Sequence, residues 1–94
     1  MGKLYIAEYA QADHSTAKEP PLAEQTITYA GASVQCSNAF HGSTRLIRVH
    51  TDAICSIAIG GDPTATTNTR RMAANTTEYF GAESGQRIAA IANT

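Results

Sequence analysis

The sequence predicts an all-β chain, folded as a compact antiparallel β-sandwich or a jelly-roll-like small barrel. Three observations carry this. Its apolar residues recur with period two in short runs, as in Leu4/Ile6 and Ile47/Val49. Gly, Asn, Asp and Thr punctuate those runs at the spacing of a sheet protein. No heptad, helix-length amphipathic stripe or internal repeat is present.

The elements follow in order. Lys3–Tyr9 alternates Leu4 and Ile6 against Tyr5, Ala7 and Tyr9, giving residues 1–9 the character of a first strand or arm. Residues 10–23 are polar and contain Pro20-Pro21, a loop or extended connection of a length that often makes contacts. Residues 24–94 then supply the sandwich core. Glu24–Ala30 is β-branched and alternating, Gly31 turns the chain, and Ser33–Ser37 forms a weaker strand around Val34. Thr44–Thr51 and Ile54–Ile59 carry the strongest strand pattern. Gly60-Gly61-Asp62-Pro63 breaks it, and Thr64–Thr69 is a loop. Thr76–Phe80 and Gln86–Ile91 form a last pair across a Gly81–Gly85 turn. The competing arrangement is α+β, with one short helix around Arg70–Ala74.

The central strands invite a register argument. A two-residue loop at Asp52-Ala53 sets Val49 against Ser56 and mixes polar with apolar on both faces. Shifting by one residue pairs Val49 with Ile57 and Ile47 with Ile59, leaving Arg48, His50, Ser56 and Ala58 outside. The buried face sets register, so the second pairing is preferred. Its difficulty is Ile54, a β-branched residue unsuited to the left-handed position of a three-residue loop. The alternative places the two strands in opposite sheets around one core.

Ninety-four residues form a single domain, residues 1–94, with a radius of gyration of about 12 Å expected at this length. The net charge is -1, and the basic residues are scattered apart from Arg70-Arg71. That balance argues against nucleic acid as a partner, and it leaves little repulsion between copies. No stretch is apolar enough to span a membrane, and Met1–Tyr9 lacks the apolar run of a signal peptide, so synthesis in the cytoplasm is expected. Cys36 and Cys55 are too few for a disulfide scaffold and read as free, part-buried thiols.

No catalytic, cofactor-binding or metal site emerges from the residues. His50 and Asp52 lack a third ligand or orienting partner, with His14 and His41 far off in loops, and read as a solvent-facing strand histidine and a turn aspartate. Cys55 falls on the inferred core face, where packing outweighs nucleophilic chemistry. Gly60-Gly61-Asp62-Pro63 lacks the Lys-Ser/Thr of a phosphate loop. Asn75-Thr76-Thr77 matches a glycosylation acceptor, which carries meaning only in a secreted protein. Arg70-Arg71 reads as a solvated loop end. Tyr5, Tyr9, Tyr29 and Tyr79 suit either recognition or the outer faces of strands. Leu4, Tyr5, Ile6 and Tyr9 make the first strand a candidate interface, bonded within its own sheet or to a neighbouring subunit.

Several segments carry a resemblance. They are Thr44-Arg-Leu-Ile-Arg-Val-His-Thr-Asp-Ala-Ile-Cys-Ser-Ile-Ala-Ile-Gly, Pro63-Thr-Ala-Thr, Arg71-Met-Ala-Ala-Asn-Thr-Thr-Glu-Tyr-Phe-Gly and Gly85-Gln-Arg-Ile-Ala-Ala-Ile-Ala-Asn-Thr. Leu4-Tyr-Ile-Ala-Glu-Tyr and Pro20-Pro21-Leu-Ala-Glu-Gln-Thr join them, so that most of the chain outside Ala10–Lys18 is covered. Together they resemble short structural proteins of tailed phages and prophages. The resemblance implies a virion protein made in the bacterial host, most simply a capsid decoration or cement subunit on the major capsid protein. The alternatives are a head–tail or tail accessory protein, or a receptor- or carbohydrate-binding module of a tail or fibre. It further implies a homo-oligomer, with a trimer among the arrangements that suit an icosahedral shell, and no enzymatic turnover or cofactor. No site residue is carried over from it.

Overall fold

The computed structural model describes residues 2–10 and 21–93. Eight strands follow one another: β1 (Gly2–Tyr9), β2 (Ala23–Tyr29), β3 (Val34–Gln35), β4 (Leu46–Thr51), β5 (Cys55–Gly60), β6 (Arg70–Met72), β7 (Thr76–Gly81) and β8 (Arg87–Ala92). They form two four-stranded antiparallel sheets, ordered β2-β1-β4-β7 and β3-β8-β5-β6. The two sheets pack on one core as a β-sandwich, with a radius of gyration of 12.1 Å. The expected all-β sandwich is what forms. The loop expected over residues 10–23 lies mostly outside the described residues; of its end, Ala23 already belongs to β2.

Alternation decides which side chains build the core. Leu4 and Ile6 from β1, Ile27 and Tyr29 from β2, and Ile47 and Val49 from β4 point inward from one sheet. Cys55, Ile57, Met72, Ile88 and Ala90 meet them from the other. At roughly 25 cal/mol per Å² of apolar surface, each buried Leu, Ile or Val contributes about 1.5–3 kcal/mol, the main driving force for the fold. Ala7, Tyr9 and Leu46 make a separate buried cluster. Its register, Tyr9 opposite Leu46, places it on the outer side of the first sheet.

Three expectations are corrected. The preferred pairing of Val49 with Ile57 does not occur, because β4 and β5 lie in opposite sheets. A corner replaces the hairpin. The Thr51 hydroxyl donates to the Ala53 carbonyl at 2.7 Å, and Tyr29 OH lies 2.7 Å from Thr51 Oγ1 and 2.9 Å from that same carbonyl. Tyr29 and Thr51 are buried, so this network meets polar needs that the core could not otherwise satisfy. The corner also relieves Ile54, since among the described non-glycine residues positive φ falls on Asn75 (58°).

Likewise, β7 and β8 are not a hydrogen-bonded pair; the turn between them carries the chain from one sheet to the other. Gly85, at φ 82°, supplies the left-handed residue that this turn requires. Finally, Arg70–Met72 is a strand, where the expectation for Arg70-Arg71 is a solvated loop end and the competing arrangement places a short helix. It pairs Cys55 with Met72 and Ile57 with Arg70.

The second sheet is covered on its outer side. Between β5 and β6 the chain turns back, with the Ala65 amide donating to Ser33 Oγ at 2.9 Å. The Gln35 side-chain amide donates to Asp62 Oδ1 at 2.8 Å and to the Pro63 carbonyl at 2.9 Å. Asn93 adds bonds to Ser56 Oγ at 2.7 Å and to the Thr67 carbonyl at 3.3 Å. Ser56, expected outside, is therefore fully buried, as is Ala89. The first sheet keeps the open outer face.

Candidate functional site

The register of the first sheet sets its outward residues in two adjacent cross-strand rows. One row reads Glu24, Ala7, Arg48, Tyr79 from β2 to β7. The next reads Thr26, Tyr5, His50, Thr77. Directly opposed residues lie about 4.5–5.5 Å apart, so each row is a continuous strip of side chains across rigid backbone.

Ala7 matters because it is small. Flanked by Glu24 and Arg48, it forms the floor of a shallow depression of 330 Å³, with Tyr5 as one wall. That volume sits at the low end for a small-molecule site. A second, more open depression of 500 Å³ continues over Tyr5 and Arg48 toward His50 and Asp52.

The aromatic side of the face is held in place. The Tyr5 ring lies 6.1 Å from the His50 ring at an interplanar angle of 48°. Lys3 Nζ stands 5.9 Å from the Tyr5 centroid, a cation over the face of the ring. His50 Nδ1 is 2.9 Å from Thr77 Oγ1 across to β7. Asp52 accepts the Lys3 amide at 2.8 Å and fixes the start of β1 against the β4–β5 corner. Arg48 differs from these neighbours. It is half-buried, and among the described residues its side chain takes part in no hydrogen bond or ion pair. Its guanidinium keeps five donors in a flat fork free for an incoming acceptor.

The residues named from sequence are distributed unevenly. Of Leu4, Tyr5, Ile6 and Tyr9, the structure commits Leu4 and Ile6 to the main core and Tyr9 to the smaller cluster. Tyr5 alone of the four is exposed, at 43%. The first strand is bonded on both sides within its own chain, to β2 and β4, which makes it the centre of a sheet rather than an arm. His50 lies on the open face with Asp52 at its margin, while His41 caps a loop by accepting the Ser43 amide at 3.0 Å. His14 lies outside the described residues. Cys36 and Cys55 are buried, free thiols. Arg70 bonds Glu78 at 3.0 Å and covers the Phe80 ring at 4.9 Å, while Arg71 is exposed.

Sequence reasoning missed Glu24 and Ala7 as parts of one face. No local signal joins positions 7, 24 and 48; only the register of three strands does. Among the described residues, no group of three or more His, Cys, Asp or Glu side chains is placed to hold a metal, and no helix is long and apolar enough to cross a membrane. No protein-family model, curated protein or solved structure matches the chain.

Proposed function

We propose that the chain is a binding subunit that presents the outer face of the β2-β1-β4-β7 sheet to another protein, without turnover. The observation that carries this is Arg48: a half-buried residue on an inner strand of the sheet, its side chain without a partner among the described residues, opposite Tyr79 in its own row and lining one depression with Tyr5 of the next. Arg and Tyr are the residue types that concentrate binding energy at protein interfaces. Arg48 and Tyr5 are here mounted on β4 and β1, the two strands of the sheet that are paired on either side.

The setting proposed for this activity is the tailed-phage particle, on the strength of the sequence resemblance. There the chain acts as a capsid decoration subunit on the lattice of the major capsid protein, as a homo-oligomer. A shallow face of this kind suits repeated display, since weak contacts multiplied by symmetry add through effective concentration. The test is binding to purified undecorated capsids, followed by locating the chain in the density of the particle. Arg48→Glu should abolish occupancy while leaving the fold intact. Full occupancy by that variant would refute the reading.

A second reading has its own observation: the Tyr5 ring borders a depression with Glu24 on one side and Arg48 on the other. A flat aromatic beside a donor and an acceptor suits a sugar ring of a receptor glycan. Titration with neutral oligosaccharides, followed by NMR shifts at Tyr5, Ala7 and Arg48, separates the two. Saturable shifts that vanish in Tyr5→Ala would favour the glycan.

A further inference from the structure

Beyond the open face, one edge of the first sheet is made to pair. A sandwich has four sheet edges, and natural proteins blunt them with short strands, charges, proline or bulges. Here β3 and β6 are blunted by length, at two and three residues. β2 is fastened through Gln25, whose side chain donates to the Asn38 carbonyl at 2.9 Å and accepts the Asn38 amide at 3.2 Å. β7 is neither short nor interrupted by proline or a bulge. It presents six residues, Thr-Thr-Glu-Tyr-Phe-Gly, in unbroken register with β4. Its one charge, the inward Glu78, is paired with Arg70 at 3.0 Å. None of the backbone hydrogen bonds from turns and loops among the described residues reaches 76–81.

We propose that β7 pairs antiparallel with β7 of a second copy of this chain, about a two-fold axis at Tyr79. The faces of the sheet select this register. Opposed residues in an antiparallel pair share a face, so inward Glu78 and Phe80 must meet inward residues of the copy, and outward Tyr79 must meet an outward one. Two centres satisfy this with long overlap. Centring on Glu78 sets two carboxylates directly against each other. Centring on Tyr79 sets Tyr79 against Tyr79 and Glu78 against Phe80 of the second copy. That Phe80 lies beneath its own Arg70 at 4.9 Å, so each carboxylate gains a guanidinium of the other copy beside its own. The contact is complementary in charge and isologous, as two-fold interfaces must be. At a net charge of -1 per chain, repulsion between copies is slight. The product is an eight-stranded sheet with the two open faces joined across its middle. This pairing does not depend on what that face binds.

The experiment is cysteine cross-linking of the full chain with sedimentation as a second readout. Opposed Cα atoms at such a centre lie about 4.5–5.5 Å apart, within disulfide reach. Cys36 and Cys55 are buried at 3% and 0% exposure, which keeps the wild-type background low. Under mild oxidation, Tyr79→Cys should form a covalent dimer, while Thr66→Cys on the exposed loop over the other sheet should stay at background. In sedimentation, Tyr79→Glu should weaken self-association about tenfold by losing the aromatic pair and opposing two charges. Tyr5→Glu, on the same face but away from the edge, should leave it unchanged. Both tyrosines are 43% exposed, so both variants should keep the wild-type circular dichroism. Cross-linking of Tyr79→Cys no faster than Thr66→Cys would overturn the proposal, as would equal self-association of Tyr79→Glu and the wild type.

Discussion

The carboxylate of Glu8 receives the hydroxyl of Thr44 at 2.7 Å, joining two fully buried side chains that stand 36 positions apart in sequence. The same Oε1 accepts the His41 amide at 2.7 Å, so one carboxylate on β1 organises the loop that leads into β4. A buried carboxylate is tolerated only where donors replace its water. Thr44→Val keeps the shape and removes a donor to a charged group. It should cost about 1.5–3 kcal/mol in urea unfolding. Thr26→Val, on the exposed face, should stay within about 0.5 kcal/mol of wild type.

Gly2 and Tyr29 make a second dependent pair. They are opposed across β1 and β2, and the phenol of Tyr29 lies where a Cβ on Gly2 would stand, with Tyr29 Cε1 2.8 Å from that position. Tyr29 is held by Thr51 and Ala53 and cannot yield cheaply. Gly2→Ala should therefore destabilise by about 1–3 kcal/mol through overpacking. In a Tyr29→Leu background the same substitution should cost much less, and a double-mutant cycle measures the difference. Additive costs would show that the two side chains do not compete for space.

Ile47 and Ile57 face each other's sheets from the middle of the core, at 0% and 2% exposure. Truncating either to Ala should cost about 2–5 kcal/mol by thermal or urea melts. Arg48→Ala, one position along on the open face, should cost far less. Equal costs at positions 47 and 48 would contradict the face assignment.

Removing residues 1–9 should prevent folding altogether. Position for position, β1 is bonded to β2 on one side and to β4 on the other, and it carries Leu4, Ile6 and Glu8. Without it, that sheet loses its centre. The expected result is a chain without cooperative unfolding by circular dichroism; a truncated chain that melts cooperatively would disprove it.

Two buried groups predict an alkaline limit. Burial pushes the Cys36 thiol above its ordinary value of 9.0, against opposing help from the Ile88 amide and the Arg87 charge. Burial likewise raises the Tyr29 phenol above 10.0, with its Thr51 hydrogen bond pulling the other way. In each case the folded chain keeps a proton that the unfolded chain has released. Stability is therefore full below pH 9 and falls as pH rises, first through the thiol range and then above 10. Urea melts against pH should show both declines. Cys36→Ala should remove the first, and Tyr29→Phe the second.

By itself, the sequence determined the fold class and nearly every strand. Leu4/Ile6, Ile47/Val49 and Ile57/Ile59 write the inward faces as alternation, because a strand repeats every two residues and water enforces the pattern. It also determined that Arg48 and His50 point to the outer face, from their parity with Ile47 and Val49. Only tertiary structure decided how the strands pair. The three residues between β4 and β5 serve a hairpin or a corner equally well in local terms. The choice fell to Tyr29, a residue 22 positions before Thr51 that bonds it at 2.7 Å. The same holds for the open face. Glu24, Ala7 and Arg48 become neighbours through two strand registers, and Ser56 is buried because a distant loop pinned by Gln35 and Asn93 crosses it. Alternation along one strand records which side a residue faces, while register and coverage are set by contacts between segments far apart in the chain.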